Sequence, residues 1–276
     1  MKIILIGRGE IFYKVFLHLY KKKYLSLVIL DNKNKKKKPD FYKHIKKRDC
    51  DYIVSNDVNN SEIIAQINKK NSDYILSVNN YQIFNHVFLN KFKNKVINYH
   101  NSLIPNFSGL NSISKVIVAF QKYTGISWHF VKRKIDNGPV IFRKKIKILK
   151  NDNAASLTLK CNKVCINYLS NFLNILKKKK IRSKKYNMTK DINISKKVLH
   201  LDLKLKFKHL DRIVRAFDFY PFKNNFGHPF IILNKSKIFI RKIAFYSNNK
   251  NLCQDKVNSK NILIKCADKY IVFKKV

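Results

Sequence analysis

The sequence predicts an α/β fold in which a mostly parallel sheet carries helices on both faces and is followed by a small, mostly β C-terminal domain. Two patterns lead to this class. Short, almost wholly apolar runs such as KIILIG first alternate with segments whose apolar residues recur every three or four positions. Doubly buried strands and amphipathic crossover helices give that alternation. Towards the C-terminus the apolar runs follow one another more closely, which is typical of a small β unit.

Each element follows from its local pattern. Gly7 ends the first apolar run, and Phe12, Val15, Phe16 and Leu19 then line one helical face. Further strands are predicted at 25–30, 51–55, 73–78, 95–100, 125–131 and from Val140, and further helices at 61–70, 83–92, 110–122 and 153–178. Parallel strands place their carboxyl ends at one sheet edge, where ligands bind.

Three parts of the chain are expected. Residues 1–178 hold the alternating elements and form the large domain. Residues 179–195 carry charge without a sustained periodicity and are interpreted as a linker. Residues 196–276 contain one helix near 210–217 and about four strands, and form the small C-terminal β domain.

The charge has two explanations. Lys and Arg number 59 against 16 acidic residues, which gives +43 and normally points to nucleic acid or an anionic surface. Most of these cations are lysines, and Lys, Asn and Ile are abundant while Gly and Pro are scarce, as an AT-rich coding sequence would produce. We attribute the charge mainly to base composition. Polyanion binding stays open, including at the lysine-rich loop DNKNKKKKPD.

The N-terminus and the cysteines indicate a cytoplasmic protein with no membrane partner. The first apolar run is broken by Gly7, Arg8 and Glu10, too early for a signal peptide or a membrane span. Five irregularly spaced cysteines suit reduced thiols. Cys161 and Cys165 lie four apart on a predicted helix, but no two further ligands are evident nearby, so no metal is expected.

The turn Gly7-Arg8-Gly9 offers a weak dinucleotide signal. The third glycine of G-x-G-x-x-G is absent, and Tyr13 and Lys14 occupy the region. A tight strand-to-helix turn already accounts for both glycines.

The segment NYHNSLIP carries the strongest chemical signal. Asn98 and His100 lie on one side of the fifth strand at its carboxyl end, where both donate hydrogen bonds to an oxygen that becomes anionic during acyl transfer. Asp136, in the turn IDNGP, supplies a carboxylate at the same sheet edge to set the tautomer of the histidine. Ser102 is a weak candidate for a covalent nucleophile, since it lacks a G-x-S-x-G elbow.

The residues from INYHNSLIP through GISWHF to KIDNGPVIF resemble the signature of the folate-dependent formyltransferases. That signature has the form Asn-x-His-x-Ser-Leu-Leu-Pro, a Gly, a helix, Gly-x-Thr-x-His and Ile-Asp-x-Gly. The resemblance implies a Rossmann-like domain with a small OB-like domain after it. Two departures are Ser127 in place of the usual Thr, and Arg143 where Gln is frequent.

The resemblance implies direct attack by a substrate amine on the formyl carbon of 10-formyltetrahydrofolate. Asn98 and His100 would stabilise the oxyanion, and Asp136 would orient His100 and help move the proton. Ser102 and Gly109 fall on positions that shape the acceptor side. His129 matches the second family histidine, as either a packed or a site residue. The folate donor would lie against two segments, through Ser77, Val78, Asn79, Asn80 and Ile83 and through Ile135 and Gly138.

The acceptor amine is the open question. RAFDFYPFKNNFGHPFIIL resembles elements of methionyl-tRNA formyltransferase and of the amino-acid formylation domains of peptide synthetases. An aminoacyl acceptor is therefore expected, on methionyl-tRNA or on a carrier protein, with a sugar nucleotide as the alternative. An inactive nucleic-acid-binding relative is the rival class. It should place aromatic and basic residues together on the C-terminal β unit, as IFIRKIAFY permits.

Overall fold

The computed structural model describes residues 1–32, 41–178, 181–187, 192, 194–224 and 226–276. Most of the lysine-rich loop and part of the expected linker lie outside these residues. The chain contains two compact units. The first comprises Met1–Gly109, Gly125–Lys145 and Cys161–Thr189, and the second comprises Leu110–Thr124, Ile146–Lys160 and Lys190–Val276.

The main sheet has seven strands. They are β1 (Ile3–Gly7), β2 (Leu25–Asp31), β3 (Tyr52–Ser55), β4 (Tyr74–Val78), β5 (Val96–His100), β6 (Tyr123–Phe130) and β7 (Val140–Lys147), in the order β3-β2-β1-β4-β5-β6-β7. Pairing is parallel from β3 through β5, and β6 runs antiparallel to β5. The predicted mostly parallel, Rossmann-like sheet is therefore confirmed.

All of the segments predicted to be helical contain helices, and two further short helices, the second and the last in the list below, were not predicted. The helices are α1 (Gly9–Lys21), α2 (Tyr42–Lys46), α3 (Ser61–Lys69), α4 (His86–Lys91), α5 (Ser112–Val118), α6 (Ala154–Asn167), α7 (Leu169–Leu176), α8 (Phe207–Ala216) and α9 (Lys250–Gln254). α5 is shorter than predicted because Asn111 before it and Phe120 after it take left-handed dihedral angles. The predicted long helix divides at Tyr168, whose φ of −101° and ψ of 6° leave the helical region.

The core of the first unit lies between strands and helices. Every residue of β1 is buried, as a strand covered on both faces requires. One buried cluster joins β1, β2, β4 and β5 to α3 and α4, through Ile4, Ile6, Leu27, Ile29, Val58, Ile67, Ile75, Phe88, Phe92 and Val96. At about 25 cal/mol per Å² of buried apolar surface, such clusters supply most of the stabilisation of the sheet.

The C-terminal part of the second unit is a four-stranded sheet. Its strands are β8 (Phe230–Leu233), β9 (Ser236–Ser247), β10 (Asn261–Lys265) and β11 (Tyr270–Lys275), in the order β10-β11-β9-β8 with antiparallel pairs. The mostly β prediction is confirmed, in the form of a sheet with this linear strand order. Its core packs β8, β9, β10 and β11 with α8, through Leu201, Leu210, Val214, Ile231, Ile240, Cys266, Ile271 and Phe273.

Among the helices of the described residues, none combines the length and the apolar character that crossing a membrane requires.

Candidate active site

The pair β5–β6 sets the directions of the candidate side chains. Asn98 faces His129 across the antiparallel ladder, and Tyr99 faces Trp128. Successive strand residues point to opposite faces. Tyr99 and Trp128 therefore pack on one face, with ring centroids 5.3 Å apart, and Trp128 stacks on Phe172 at 4.3 Å. Asn98, His100 and His129 are left together on the other face.

Asp136 connects the two histidines. Its Oδ2 lies 3.3 Å from Nδ1 of His100, and its Oδ1 lies 3.3 Å from Nε2 of His129. The Gly109 N–H donates to Oδ2 at 2.8 Å. The Asp136 side chain is 9% exposed. The three residues predicted as catalytic thus lie close together, and His129, which is 1% exposed, contacts both Asn98 and Asp136.

The environment keeps Asp136 ionised. Burial by itself raises the pKa of this carboxyl group. The charge on His100, the hydrogen bond and charge of His129 and the Gly109 N–H outweigh burial, and they hold the pKa of Asp136 well below its usual range. A carboxylate that stays charged at neutral pH is suited to orient an imidazole and to stabilise its protonated form.

Hydrogen bonds orient Asn98 from the neighbouring strand. Ser77, at the end of β4, donates its hydroxyl to Oδ1 of Asn98 at 2.9 Å. That bond turns the Asn98 amide nitrogen towards Nε2 of His129, 3.4 Å away. The predicted donor-site residue Ser77 therefore contacts the predicted catalytic residue directly.

Nε2 of His129 lies within reach of both Asn98 and Asp136 and bonds one of them at a time. Its Nδ1 lies 3.0 Å from the Phe130 carbonyl oxygen, which only accepts, so we assign a proton to Nδ1. A proton on Nε2 bonds Asp136, and its loss lets Nε2 accept from Asn98. From the sequence, His129 was interpreted equally as a packed strand residue or as a site residue, because strand spacing alone does not reveal its partners.

The turn that carries Asp136 is tightly built. Asp136 has a φ of 48°, in the left-handed region. A Cβ added at Gly138 would lie 1.7 Å from the carbonyl oxygen of Phe130. Only glycine fits this approach. Because the same carbonyl accepts from His129, Gly138 also protects the orientation of that histidine.

Hydrogen bonds from buried hydroxyl groups hold the loop after β5 in place. The hydroxyl of Ser102 is fully buried and donates to the carbonyl oxygens of Asn106 at 3.0 Å and Phe107 at 3.3 Å. Ser127 donates to the Ser102 carbonyl at 2.7 Å. His100 Nε2 lies 3.4 Å from the Phe107 carbonyl. Ser102 therefore acts on the loop geometry, and its bonding is that of a structural hydroxyl rather than of a nucleophile.

Buried side-chain hydrogen bonds stabilise the loop predicted to hold the folate donor. Asp31 at the end of β2 accepts from the Tyr81 N–H at 3.0 Å and from Gln82 Nε2 at 2.8 Å, and Gln82 Oε1 accepts from the Val58 N–H at 2.6 Å. In the sequence, Asp31 is the first residue of the lysine-rich loop DNKNKKKKPD, and no role was predicted for Asp31 or Gln82. Both are buried. The position of Asp31, an acidic residue at the carboxyl end of a predicted strand, was the sequence signal that could have identified it.

The remaining donor-loop residues differ in what they present. Val78 is fully buried, and Ile83 and Ile135 are 66% and 56% exposed. Asn79 donates to the Arg8 carbonyl at 3.0 Å, and Asn80 pairs with Gln82 through both of its side-chain atoms. The exposed isoleucines offer apolar contact, while Val78 offers only its backbone.

Two alternative sites have structural explanations. A Cβ added at Gly7 would lie 1.8 Å from the Val78 carbonyl oxygen, so the close approach of β1 and β4 requires this glycine. Cys161 and Cys165 are fully buried, and burial raises the pKa of the Cys165 thiol strongly. Within the described residues, no group of three His, Cys, Asp or Glu side chains is arranged to hold a metal ion.

A doubly wound sheet that brings an amide, two imidazoles and a carboxylate together at its carboxyl edge defines an α/β protein equipped for acyl and proton transfer. Residues 1–173 match the model of the formyl transferase family, and the chain therefore belongs to that family.

Known proteins agree with this assignment. Methionyl-tRNA formyltransferase of Buchnera aphidicola subsp. Schizaphis graminum is 30% identical over 179 residues, which is 63% of this chain and 57% of that protein. The chain thus matches little more than half the length of this relative.

Solved structures share the fold. WlaRD, described as a sugar 3N-formyl transferase in the presence of dTDP and 5-N-formyl-THF, covers 100% of this chain with 98% of its own, at a TM-score of 0.69 and 18% identity. Phosphoribosylglycinamide formyltransferase of Bacillus halodurans covers 65% of this chain with 97% of its own, at a TM-score of 0.57 and 22% identity.

Proposed function

We propose that this protein transfers a formyl group from 10-formyltetrahydrofolate to the primary amine of an aminoacyl acceptor, either methionyl-tRNA or an amino acid bound to a carrier protein. The observation that carries the reaction is the convergence of Asn98, His100 and His129 around the ionised carboxylate of Asp136. The aminoacyl acceptor is supported by the similarity to methionyl-tRNA formyltransferase.

The chemistry follows from the charges of these groups. The acceptor nitrogen bonds to the formyl carbon, and the bond between that carbon and the donor nitrogen breaks. The Asn98 amide and the His100 imidazole donate to the oxyanion that forms. Asp136 holds Nδ1 of His100 and stabilises the imidazolium while the amine proton passes to the leaving nitrogen. No covalent enzyme intermediate is needed, because the acceptor amine is itself the nucleophile.

The donor site is proposed on two segments. The loop from Ser77 to Ile83 offers backbone groups at Val78 to Asn80, and the exposed side chains of Ile83 and Ile135 suit contact with an aromatic ring. Gly138 is proposed to support the donor site by holding the turn from Ile135 to Pro139 against the Phe130 carbonyl. Ser102 and Gly109 are proposed to shape the acceptor side through the loop they occupy.

A sugar-nucleotide amine is the second candidate acceptor. Its support is that the fold shared with the sugar 3N-formyl transferase extends over 100% of this chain, including the C-terminal unit.

The test is a side-by-side assay of the purified chain with 10-formyltetrahydrofolate and three acceptors: methionyl-tRNA, a carrier-bound amino acid and an amino-sugar nucleotide. Tetrahydrofolate release and a formyl mass increment on one acceptor are expected. Turnover with the sugar nucleotide alone would overturn the aminoacyl acceptor, and no turnover with any of them would overturn the proposed reaction.

Variants test the site separately from the acceptor. His100→Ala and Asp136→Asn should each lower kcat/KM roughly a hundredfold or more, since each removes a group that acts in the transition state. His86→Ala is the matched control, because His86 is an exposed histidine at the start of α4. Full activity in both site variants would refute the assignment of these residues.

A further inference from the structure

One face of the C-terminal sheet presents aromatic rings to solvent. Phe230 and Phe239 are cross-strand partners on β8 and β9, with ring centroids 6.0 Å apart, and His200 stacks on Phe230 at 5.3 Å with an interplanar angle of 14°. Phe239 is 48% exposed and Tyr220 is 62% exposed. We call His200, Tyr220, Phe230 and Phe239 the aromatic platform.

Cations lie directly over these rings. The Lys237 ammonium is 5.0 Å from the Phe230 centroid, and the Arg241 guanidinium is 4.2 Å from the Tyr220 centroid. Lys237 and Phe239 lie two residues apart on β9 and so share one face of the sheet, and Arg241 follows at a bulge with its guanidinium over the Tyr220 ring. Rings and positive charges therefore interleave on a single surface.

Negative charge is absent from the strands of this sheet. β8, β9, β10 and β11, all within the described residues, contain no aspartate or glutamate. Asp218, close to Tyr220 in sequence, accepts from the Asn153 amide at 2.8 Å and from the Tyr220 N–H at 3.2 Å. An anionic partner thus meets no carboxylate on the strands themselves.

The opposite face of the sheet packs against α8 and forms the core of this part of the unit. Ile231, Ile240, Ile271 and Phe273 pack there with α8 and are almost completely buried. Phe230 and Phe239 alternate with the core residues Ile231 and Ile240 along their strands and are not members of that core. Exposed aromatic residues in such a position indicate an interaction surface.

We propose that the aromatic platform binds single-stranded RNA by base stacking, with Lys237 and Arg241 neutralising the adjacent phosphates. Exposed ring faces interleaved with cations are the features that bind single strands irrespective of sequence. An acidic protein surface would need the cations but not the exposed rings. The choice of RNA over DNA rests on the proposed aminoacyl acceptor, whereas the stacking surface itself does not.

The experiment measures binding of a fluorescently labelled 12-nucleotide single-stranded RNA to the full chain by anisotropy. Phe239→Ala and Tyr220→Ala should each weaken binding about fivefold or more, as loss of one stacked base predicts. Lys237→Gln should reduce the slope of affinity against salt concentration by about one phosphate contact. The same RNA as a duplex should bind more weakly and respond little to Phe239→Ala.

Tyr246→Ala is the matched control, because Tyr246 is 41% exposed on the same strand but packs against Phe207 of α8, with centroids 4.0 Å apart. Equal loss in this variant, or no loss in Phe239→Ala, would overturn the proposal. So would tighter binding of a DNA strand, or of an acidic carrier protein, through the same residues. RNA binding is measured without any formyl donor, so its failure is distinct from failure of the transfer reaction.

Discussion

Replacing Gly138 by alanine tests how strictly the turn after β6 controls the site. The added Cβ would lie 1.7 Å from the Phe130 carbonyl oxygen and 2.8 Å from its carbon. Both are backbone atoms, so no side chain can rotate away. The turn or the carbonyl must move by more than about 1 Å to reach an ordinary contact, and such overpacking costs about 1–3 kcal/mol of stability.

That movement affects two side chains of the proposed site at once. The Phe130 carbonyl accepts from Nδ1 of His129, and Asp136 lies two residues before Gly138. A 1 Å misplacement of reacting groups costs about a hundredfold in rate. We therefore expect Gly138→Ala to lower kcat/KM about a hundredfold while the protein remains folded.

The assay compares initial rates of tetrahydrofolate release, with circular dichroism to establish folding. Gly227→Ala is the control, because Gly227 has a φ of 120° and lies in the second unit, so alanine there strains the backbone away from the trio. Equal rate losses in the two variants would assign the effect to general destabilisation. A Gly138→Ala protein with wild-type kcat/KM would refute the reasoning outright.

Further predictions concern the same network. Ser77→Ala removes the hydroxyl that orients Asn98 and should lower kcat/KM about threefold to tenfold, while Ser26→Ala, which removes a hydroxyl bonded to Ser72, should leave the rate unchanged. His129→Phe should lower kcat/KM about tenfold, because it removes the side chain that contacts both Asp136 and Asn98, and an unchanged kcat/KM would deny His129 a role in the site. The depressed pKa of Asp136 adds stability that is complete above its unfolded value near 3.8 and is lost as pH falls below it, so denaturant titrations of wild type and Asp136→Asn should draw together on acidification.

Much of the first unit followed from local pattern. β1 and β5 are short apolar runs followed by turn residues, and a short run that is buried in this way is readily assigned as a strand. Asn98 and His100 could be predicted because they lie at the carboxyl end of β5, where the topology gathers ligand-binding groups. The edge argument does not hold for Asp136, because β6 runs antiparallel to β5 and Asp136 reaches His100 from the turn between β6 and β7.

Other features depended on pairing that no local pattern reveals. His129 belongs to the site because it lies opposite Asn98 in the β5–β6 register, which the spacing within one strand does not determine. Asp31 and Gln82 meet from segments 51 residues apart in sequence. The aromatic platform was foreseen only as a possibility in IFIRKIAFY, since the side chains that complete it come from Tyr220 and His200 outside that run.

Alternation along β5 ties the reactive groups to the fold itself. Tyr99 lies between Asn98 and His100 and packs into the Trp128–Phe172 stack on the far side of the sheet. Deleting one residue from this strand would exchange the faces of the sheet on which the Tyr99 ring and the polar side chains of Asn98 and His100 lie. Single-residue deletions there should therefore abolish folding and turnover together. The turn that carries Asp136 is restricted in the same way, because Gly138 already lies against the Phe130 carbonyl. Selection for a new acceptor amine can thus act only on connecting segments that carry none of the site residues.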